Sequence, residues 1–242
     1  MLVRSYEVAF TYRCNLRCHW CNRLVGVINI PDSDITPEEV RLAGGRLKTA
    51  GVTAIEKVKL SGGQPTLNPL FADVCKALDE HWPTRTLQLL TNATEPFRWP
   101  DGLRAKTRIA ESRVEKVKPL HKPFTVSPAD LGVRYDGVGV DRKCFNMSMC
   151  GRFFDKFGFN FCPFAGIIGR VVGVDSYSAD PVFLGHPDIC RHCMYGLRPV
   201  RRARLERRVA DGSVPEVTKT FREGIDRWKA SPFPIKRFVE RL

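Results

Sequence analysis

Three cysteines, Cys14, Cys18 and Cys21, fall directly after Tyr6–Phe10, the first stretch of this 242-residue chain that reads as a strand. No other feature narrows the choice of fold so far. Three thiolates this close can wrap one face of a cubane iron–sulfur cluster. The two short gaps leave the fourth iron without a nearby protein ligand, open to chelate a small molecule. A structural zinc site is normally closed by four ligands. His19 lies beside Cys18 and has poor geometry for the same ion.

The flanking sequence alternates strand-like and helix-like segments. Thr36-Pro37-Glu38-Glu39 is a helix start: threonine caps, proline suits the first turn, and an acid at the third position completes a capping box. That helix runs to about Ala50, where Gly51 stops it. Val58–Leu60 ends a short strand, and Ser61–Thr66 is a glycine-containing loop. Asn68-Pro69 opens a second helix through Leu70, Val74 and Leu78. Thr86–Thr91 is a third strand; Arg108–Ala110 and Phe124–Ser127 are weaker ones. Such alternation implies an α/β fold with a parallel sheet and crossover helices. After about Asp141 the character changes. Cys144–Cys162 is rich in Phe and Gly, Ile167–Val174 reads as a strand, Cys190–Cys193 as a tight turn, and Thr218–Ala230 as a helix with Phe221, Ile225 and Trp228 on one face.

The chain has nine cysteines, and an odd count without a secretion signal fits a disulfide framework badly. Eight fall into two groups with short internal spacings, which points to metal. No apolar run approaches the ~20 residues that span a bilayer, so we expect a soluble, cytoplasmic protein without a membrane partner. The formal charge is +13, and residues 196–242 carry 13 Lys/Arg against 6 Asp/Glu. A basic excess suits a nucleic acid, an acidic protein or an anionic substrate equally. Aromatics are not interleaved with the densest run, 198–208, as base stacking would want.

The C-x3-C-x2-C spacing after a first strand, with aromatic Trp20 just before Cys21, resembles the signature of the radical S-adenosylmethionine (SAM) superfamily. Ser61-Gly62-Gly63-Gln64-Pro65-Thr66 resembles that family's loop for the methionine end of SAM, where glycines let backbone approach a ligand. The family usually has glutamate where this chain has Gln64. An amide keeps an acceptor oxygen for the SAM ammonium but loses the charge. Thr91-Asn92-Ala93-Thr94 resembles the family's next strand end, facing SAM or substrate. The resemblance implies that Cys14, Cys18 and Cys21 hold a 4Fe–4S cluster whose open iron binds SAM. It also implies an enzyme that cleaves SAM to a 5′-deoxyadenosyl radical and abstracts hydrogen from a substrate. Cofactor contacts then fall to Trp20, Gly62, Gly63, Gln64, Pro65, Thr91 and Asn92. The expected fold is an incomplete (β/α) barrel, a partial TIM barrel, over residues 1–140, with the cluster at the C-terminal mouth of the strands.

Cys144, Cys150, Cys162, Cys190 and Cys193 resemble the auxiliary-cluster extensions of the same family, the SPASM domain and its shortened twitch form. The resemblance implies a second 4Fe–4S cluster on Cys144, Cys162, Cys190 and Cys193 over residues 141–195, with Gly158 in a hairpin between the first two. Cys150 is an alternative ligand or a thiol that returns hydrogen to a substrate radical. A zinc-ribbon-like site is the other reading of these cysteines. Residues 196–242 form a basic helical segment.

The layout is similar to that of small oxidoreductases of the family, in which the extra cluster takes an electron during alcohol oxidation. A small polar metabolite is the expected substrate; epimerisation, and a peptide or nucleic-acid substrate, remain open. Flavodoxin or ferredoxin is the expected electron donor. Arg134, Asp136 and His121 are candidate bases, and Arg142 and Arg170 candidate partners of a carboxylate. Cys75 reads as a core residue. The rival from another class is a metal-stabilised nucleic-acid-binding module with two zinc sites. It explains the charge but not a three-cysteine group followed by Gly-Gly-Gln-Pro in an α/β pattern.

Overall fold

The structure, a computed structural model, describes residues 1–18, 21–111, 125–135, 144, 147, 149–183, 187–232 and 234–242. Strands β1 (Leu2–Thr11), β2 (Ala54–Gly62), β3 (Thr86–Thr91), β4 (Lys106–Glu111), β5 (Arg152–Asp155) and β6 (Gly158–Asn160) form one sheet in the order β4-β3-β2-β1-β5-β6. Every neighbouring pair is parallel except the β5–β6 hairpin. Helix α1 (Pro37–Thr49) links β1 to β2, and α2 (Phe71–His81) links β2 to β3. From β1 to β4 the strands add outward in chain order, the first three joined by helices and β3 to β4 by a loop, which is the wall of an incomplete (β/α) barrel. Residues 152–160, from the cysteine-rich region, extend the same sheet on the other side of β1.

Local chemistry sets these elements. The Thr36–Glu39 capping box is formed: Thr36 Oγ1 accepts from the Glu39 N–H at 3.3 Å, and Glu39 Oε2 accepts from the Thr36 N–H at 2.8 Å. Gly51, at φ 71, follows the end of α1 in the left-handed region that glycine tolerates. Asn68 does not cap α2 directly. Its buried amide donates to the carbonyls of Phe10 (2.8 Å) and Ile35 (3.0 Å), tying the end of β1 to the start of α1.

Two expected strands are corrected. Ile167–Val174 is helical: α3 spans Ala165–Val172 and ends at Gly173, φ 78. A short run buried on nearly every side carries no period to separate strand from helix. Thr125–Ser127 is not a strand either, because Ser127 leads into a 3-10 turn at Pro128–Leu131; Phe124 lies outside the described residues. In the later part, α4 (Pro199–Ala210) and α5 (Lys219–Ala230) follow. Helix α5 crosses α3 at Gly224, where a Cβ would stand 2.2 Å from the Val171 carbonyl oxygen.

The two faces of β1 serve different layers. Tyr6, Val8 and Phe10 join α1 and α2 in the main core, with Val40, Leu47, Val74 and Leu78. Ala9 and Phe153 join α3 and α5 in a second core, with Ile167, Val171 and Phe221. Phe159 sits in an aromatic cluster, its ring centroid 4.7 Å from Phe154, 5.6 Å from Phe238 and 6.2 Å from Tyr6. Among the described residues, no helix is long and apolar enough to cross a membrane. Phe159→Ala should cost about 3–5 kcal/mol of stability; urea denaturation followed by circular dichroism reads this directly.

Candidate active site

The loops after β1, β2 and β3 meet at the C-terminal ends of the strands. The Gly62 N–H-side backbone runs against β1: a Cβ on Gly62 would lie 2.1 Å from the Thr11 carbonyl oxygen, and one on Gly63 2.1 Å from that of Arg13. The N–H groups of Gly63 and Gln64 donate to those same carbonyls, each at 2.8 Å. Gly62 also has φ 132, a conformation that glycine alone adopts without strain. The glycines thus serve first to seat the β2 loop on the cysteine loop. A Cβ on Gly63 would also come within 3.0 Å of Cys14 Cβ.

Gln64 is buried and turned into the protein. Its amide nitrogen donates to Thr66 Oγ1 and Thr91 Oγ1, both at 2.8 Å, and its oxygen accepts from the Asn92 N–H at 3.0 Å. The Gln64 amide is therefore a staple between the β2 loop and the end of β3, using donors that a carboxylate lacks. Pro65 is buried at the start of a 3-10 turn. Asn92 Nδ2 donates to Asn15 Oδ1 at 2.9 Å and reaches Cys14 Sγ at 3.9 Å. Within the cysteine loop, the Leu16 N–H points at Cys14 Sγ (3.4 Å) and the Cys21 N–H donates to the Cys18 carbonyl (3.2 Å).

These loops enclose a cavity of about 370 Å³ lined by Cys14, Cys18, Cys21, Gly62, Gly63, Thr91 and Asn92. Desolvation, followed for Cys18 by the neighbouring Cys21 and Cys14 sulfurs, pushes the Cys14 and Cys18 thiols above their ordinary range. Thiolates crowded in this way call for a cation between them. Among the described residues, no three His, Cys, Asp or Glu side chains are already held at the spacing of a single bound ion. A cubane is wider than one ion, and an all-sulfur, three-donor set beside an open cavity suits a cluster with one exchangeable iron. Trp20 and His19 lie outside the described residues.

The cavity floor holds a network that sequence reasoning missed. Glu7, in mid-β1, accepts hydrogen bonds from Ser61 Oγ (2.8 Å) and from the Arg23 guanidinium, and both members of the ion pair are buried. Burial opposes the charge on Arg23, but Glu7 beside it raises the guanidinium pKa overall. Arg23 also lies over the Phe153 ring, 4.9 Å from its centroid. The signal was present: Ser5, Glu7 and Thr11 alternate with Tyr6, Val8 and Phe10, so the second face of a buried strand carries polar groups.

Cys144, Cys162, Cys190 and Cys193 line one small cavity together with Phe161, Phe164 and Ile168. Cys144 precedes the β5–β6 hairpin, Cys162 follows it, and Gly158 turns it at φ 127. Burial pushes the Cys190 thiol up to about 11 and raises Cys162 and Cys193 as well, with the other sulfurs adding to it. The four cysteines are thus gathered among apolar side chains. Cys150 is not with them. It lines the first cavity, its thiol raised by burial and then by Glu7.

Other candidates fall away from the site. Cys75 is fully buried in the main core. Arg170 does not reach the cavity: it is buried among Tyr12, Phe157 and Tyr177, its guanidinium 4.7–5.4 Å from their ring centroids, near Asp155, which accepts from Tyr12 and Tyr177 hydroxyls at 2.7 and 2.8 Å. Arg134 is exposed, and its carbonyl accepts from Arg201 at 3.3 Å. His121, Asp136 and Arg142 lie outside the described residues.

The family described as "Radical SAM superfamily" matches residues 8–120. The chain is similar to a probable GTP 3′,8-cyclase of Methanocaldococcus jannaschii, 35% identical over 77 residues, 32% of this chain and 24% of that protein. It is similar to molybdenum cofactor biosynthesis protein 1 of Bos taurus, 33% identical over 86 residues, 36% of this chain and 13% of that protein. The matched part is thus at most about a quarter of those relatives' length. A solved structure described as BtrN in complex with AdoMet and 2-DOIA aligns with a TM-score of 0.32 at 18% identity, over 38% of this chain and 37% of that one.

Because the Gly63 contact joins the two loops, Gly63→Ala should destabilise the protein by about 3 kcal/mol and lower iron uptake by the first cysteine group. Gly45→Ala, a helical position where a Cβ meets nothing within 4 Å, should be neutral or slightly stabilising. Denaturation midpoints and iron content of the two variants check both.

Proposed function

With the radical SAM superfamily matching residues 8–120, we propose that the chain cleaves SAM reductively and takes a hydrogen atom from a small polar molecule held in the cavity at the strand ends. The observation that carries this reading is the gathering of Cys14, Cys18 and Cys21 with Gly62, Gly63, Thr91 and Asn92 round one cavity. In it, the three thiolates hold a 4Fe–4S cluster and SAM lies against the loops after β2 and β3. When bound and reduced, the cluster supplies the one electron that breaks the sulfonium bond to the 5′ carbon, leaving methionine and the 5′-deoxyadenosyl radical. Gln64 acts at one remove, by holding the end of β3 against the β2 loop. Phe164 and Leu90 wall the cavity from water, and Glu7, held by Ser61 and Arg23, offers the substrate an acceptor.

Cys144, Cys162, Cys190 and Cys193 hold a second 4Fe–4S cluster in this reading. Bound there, such a cluster would supply a one-electron acceptor, and the reaction would be a dehydrogenation in which the substrate radical gives up a proton and that electron. Residues 1–140 make the radical, 141–195 hold the second cluster, and 196–242 form a basic helical segment. The reading sets the protein in the cytoplasm, where thiols stay reduced. The relatives' printed activity, cyclisation of GTP, is a weaker reading here. A triphosphate calls for several cations, and among the described lining residues Glu7 and Glu111 face one arginine, Arg23, already paired with Glu7.

One observation favours a second outcome. Cys150 shares the cavity of Cys14, Cys18 and Cys21, and return of its thiol hydrogen to the substrate radical gives an epimer of unchanged oxidation state; the Cys150 thiyl radical left behind takes one electron from the external reductant and one proton to regenerate the thiol.

Reconstituted, dithionite-reduced protein with SAM should release 5′-deoxyadenosine. Cys18→Ala should abolish this while keeping about half the iron, and Cys190→Ala with Cys193→Ala should lose about half the iron. Turnover by the Cys18 variant would overturn the first assignment, and unchanged iron in the double variant the second. Reaction in deuterated water separates the outcomes: solvent deuterium in the product, lost with Cys150→Ala, identifies the epimerase, and a product two hydrogens poorer without deuterium the dehydrogenase.

A further inference from the structure

The basic charge of the later region has a definite place. Residues 190–210 contain seven arginines and a single acid, Glu206. Helix α4 turns that acid inward: Glu206 pairs with Arg202 at 3.5 Å, and both side chains are only 17% exposed. Leu205 and Val209 anchor the same inner face in a core with Val126, Met194 and Leu197. The opposite face presents Arg201, Arg204, Arg207 and Arg208, all exposed, with 82%-exposed Val200 among them. Positions 201, 204 and 208 are one helical stripe, so the exposed side of α4 is a run of arginines, of which Arg201 also donates to the Arg134 carbonyl at 3.3 Å. Helix α5 is unlike it: Lys219 and Glu223 pair at 3.9 Å, and Asp226 is exposed beside them. Among the described residues, Asp188 pairs with Arg191 at 3.7 Å, and Asp211 closes the end of α4.

The inner face of the same helix adjoins the four-cysteine cavity. Helix α4 begins six residues after Cys193. Arg202 lies over the Tyr195 ring, 5.7 Å from its centroid. Tyr195 lines the cavity, stacks on Phe164 at 4.9 Å, and its carbonyl accepts from Cys144 Sγ at 3.3 Å. One side chain therefore separates the basic helix from the sulfurs.

We propose that the outer face of α4 is the docking surface for a small acidic electron-carrier protein, which exchanges single electrons with the group held by Cys144, Cys162, Cys190 and Cys193. The carrier is oxidised by one electron as that group is reduced, and the reverse step passes the substrate's electron out to an oxidised carrier. The inference rests on the second cluster site proposed above. Charge complementarity specifies the partner: steering between opposite charges brings a carrier quickly to one patch and releases it quickly, as repeated one-electron exchange requires. A nucleic acid fits less well, because the face offers no aromatic platform for bases; Tyr195 is already stacked on Phe164.

The test uses the iron-loaded protein and an acidic flavodoxin. Titration calorimetry should show binding that weakens steeply with salt. Arg201→Glu, Arg204→Glu and Arg208→Glu together should weaken it by about tenfold or more and raise the KM for flavodoxin to match. Lys219→Glu with Arg222→Glu on α5 should change neither by more than about twofold. Dithionite-driven 5′-deoxyadenosine formation by the triple variant should equal that of the wild type. Wild-type flavodoxin affinity in the triple variant overturns the proposal. So does a short RNA that binds tighter than flavodoxin and is lost in that variant. Failure of the dithionite reaction in the wild-type protein counts against the proposed function instead, and leaves the binding result readable.

Discussion

The contact between the ends of β1 and β2 is the constraint on which the site depends. Two backbone segments meet there with no space for a side chain, and the N–H groups of Gly63 and Gln64 close onto the Thr11 and Arg13 carbonyls. That seam carries the first residue of the cysteine loop to the cavity wall. Gln64 extends it to the end of β3 through two hydrogen bonds, to Thr91 and from Asn92, so three consecutive strand ends are tied together. A site that must hold a cluster and a second molecule in fixed relation gains from such pre-organisation.

Strand β1 also divides the protein's chemistry. One face is apolar and binds the helical layer; the other places Glu7 beneath the cavity with Ser61 and Arg23. A buried carboxylate costs free energy unless it is paired and hydrogen-bonded, and here both conditions are met. Pairing with β5 on the other edge brings the hairpin that separates Cys144 from Cys162 into the same sheet. The two cysteine groups are therefore attached to one rigid support.

The basic segment acquires meaning only from its neighbours. A stripe of arginines on a surface helix is ordinarily a solvated face. Beside Tyr195 and the four sulfurs, with its one acid turned inward, it becomes an oriented surface next to a redox-capable donor set.

The α/β alternation, the capped helix α1, the strands β1 to β4 and the grouping of eight cysteines were legible in the sequence, because capping, glycine stops and ligand spacing are local. So was the resemblance to the radical SAM superfamily, whose model matches residues 8–120, carried by Cys14, Cys18, Cys21 and the Gly-Gly-Gln-Pro loop. Residues Ile167–Val174 were misread as strand since a segment buried on all sides shows no period. Tertiary structure alone decided that Cys150 parts from the other later cysteines, that Arg170 is a core cation, and that Gln64 is a staple rather than an open acceptor. Each depends on residues 28 to 158 positions apart, such as Gln64 with Asn92 and Arg170 with Tyr12. Separations of that size are settled by how strands pair and helices cross, which no local pattern encodes.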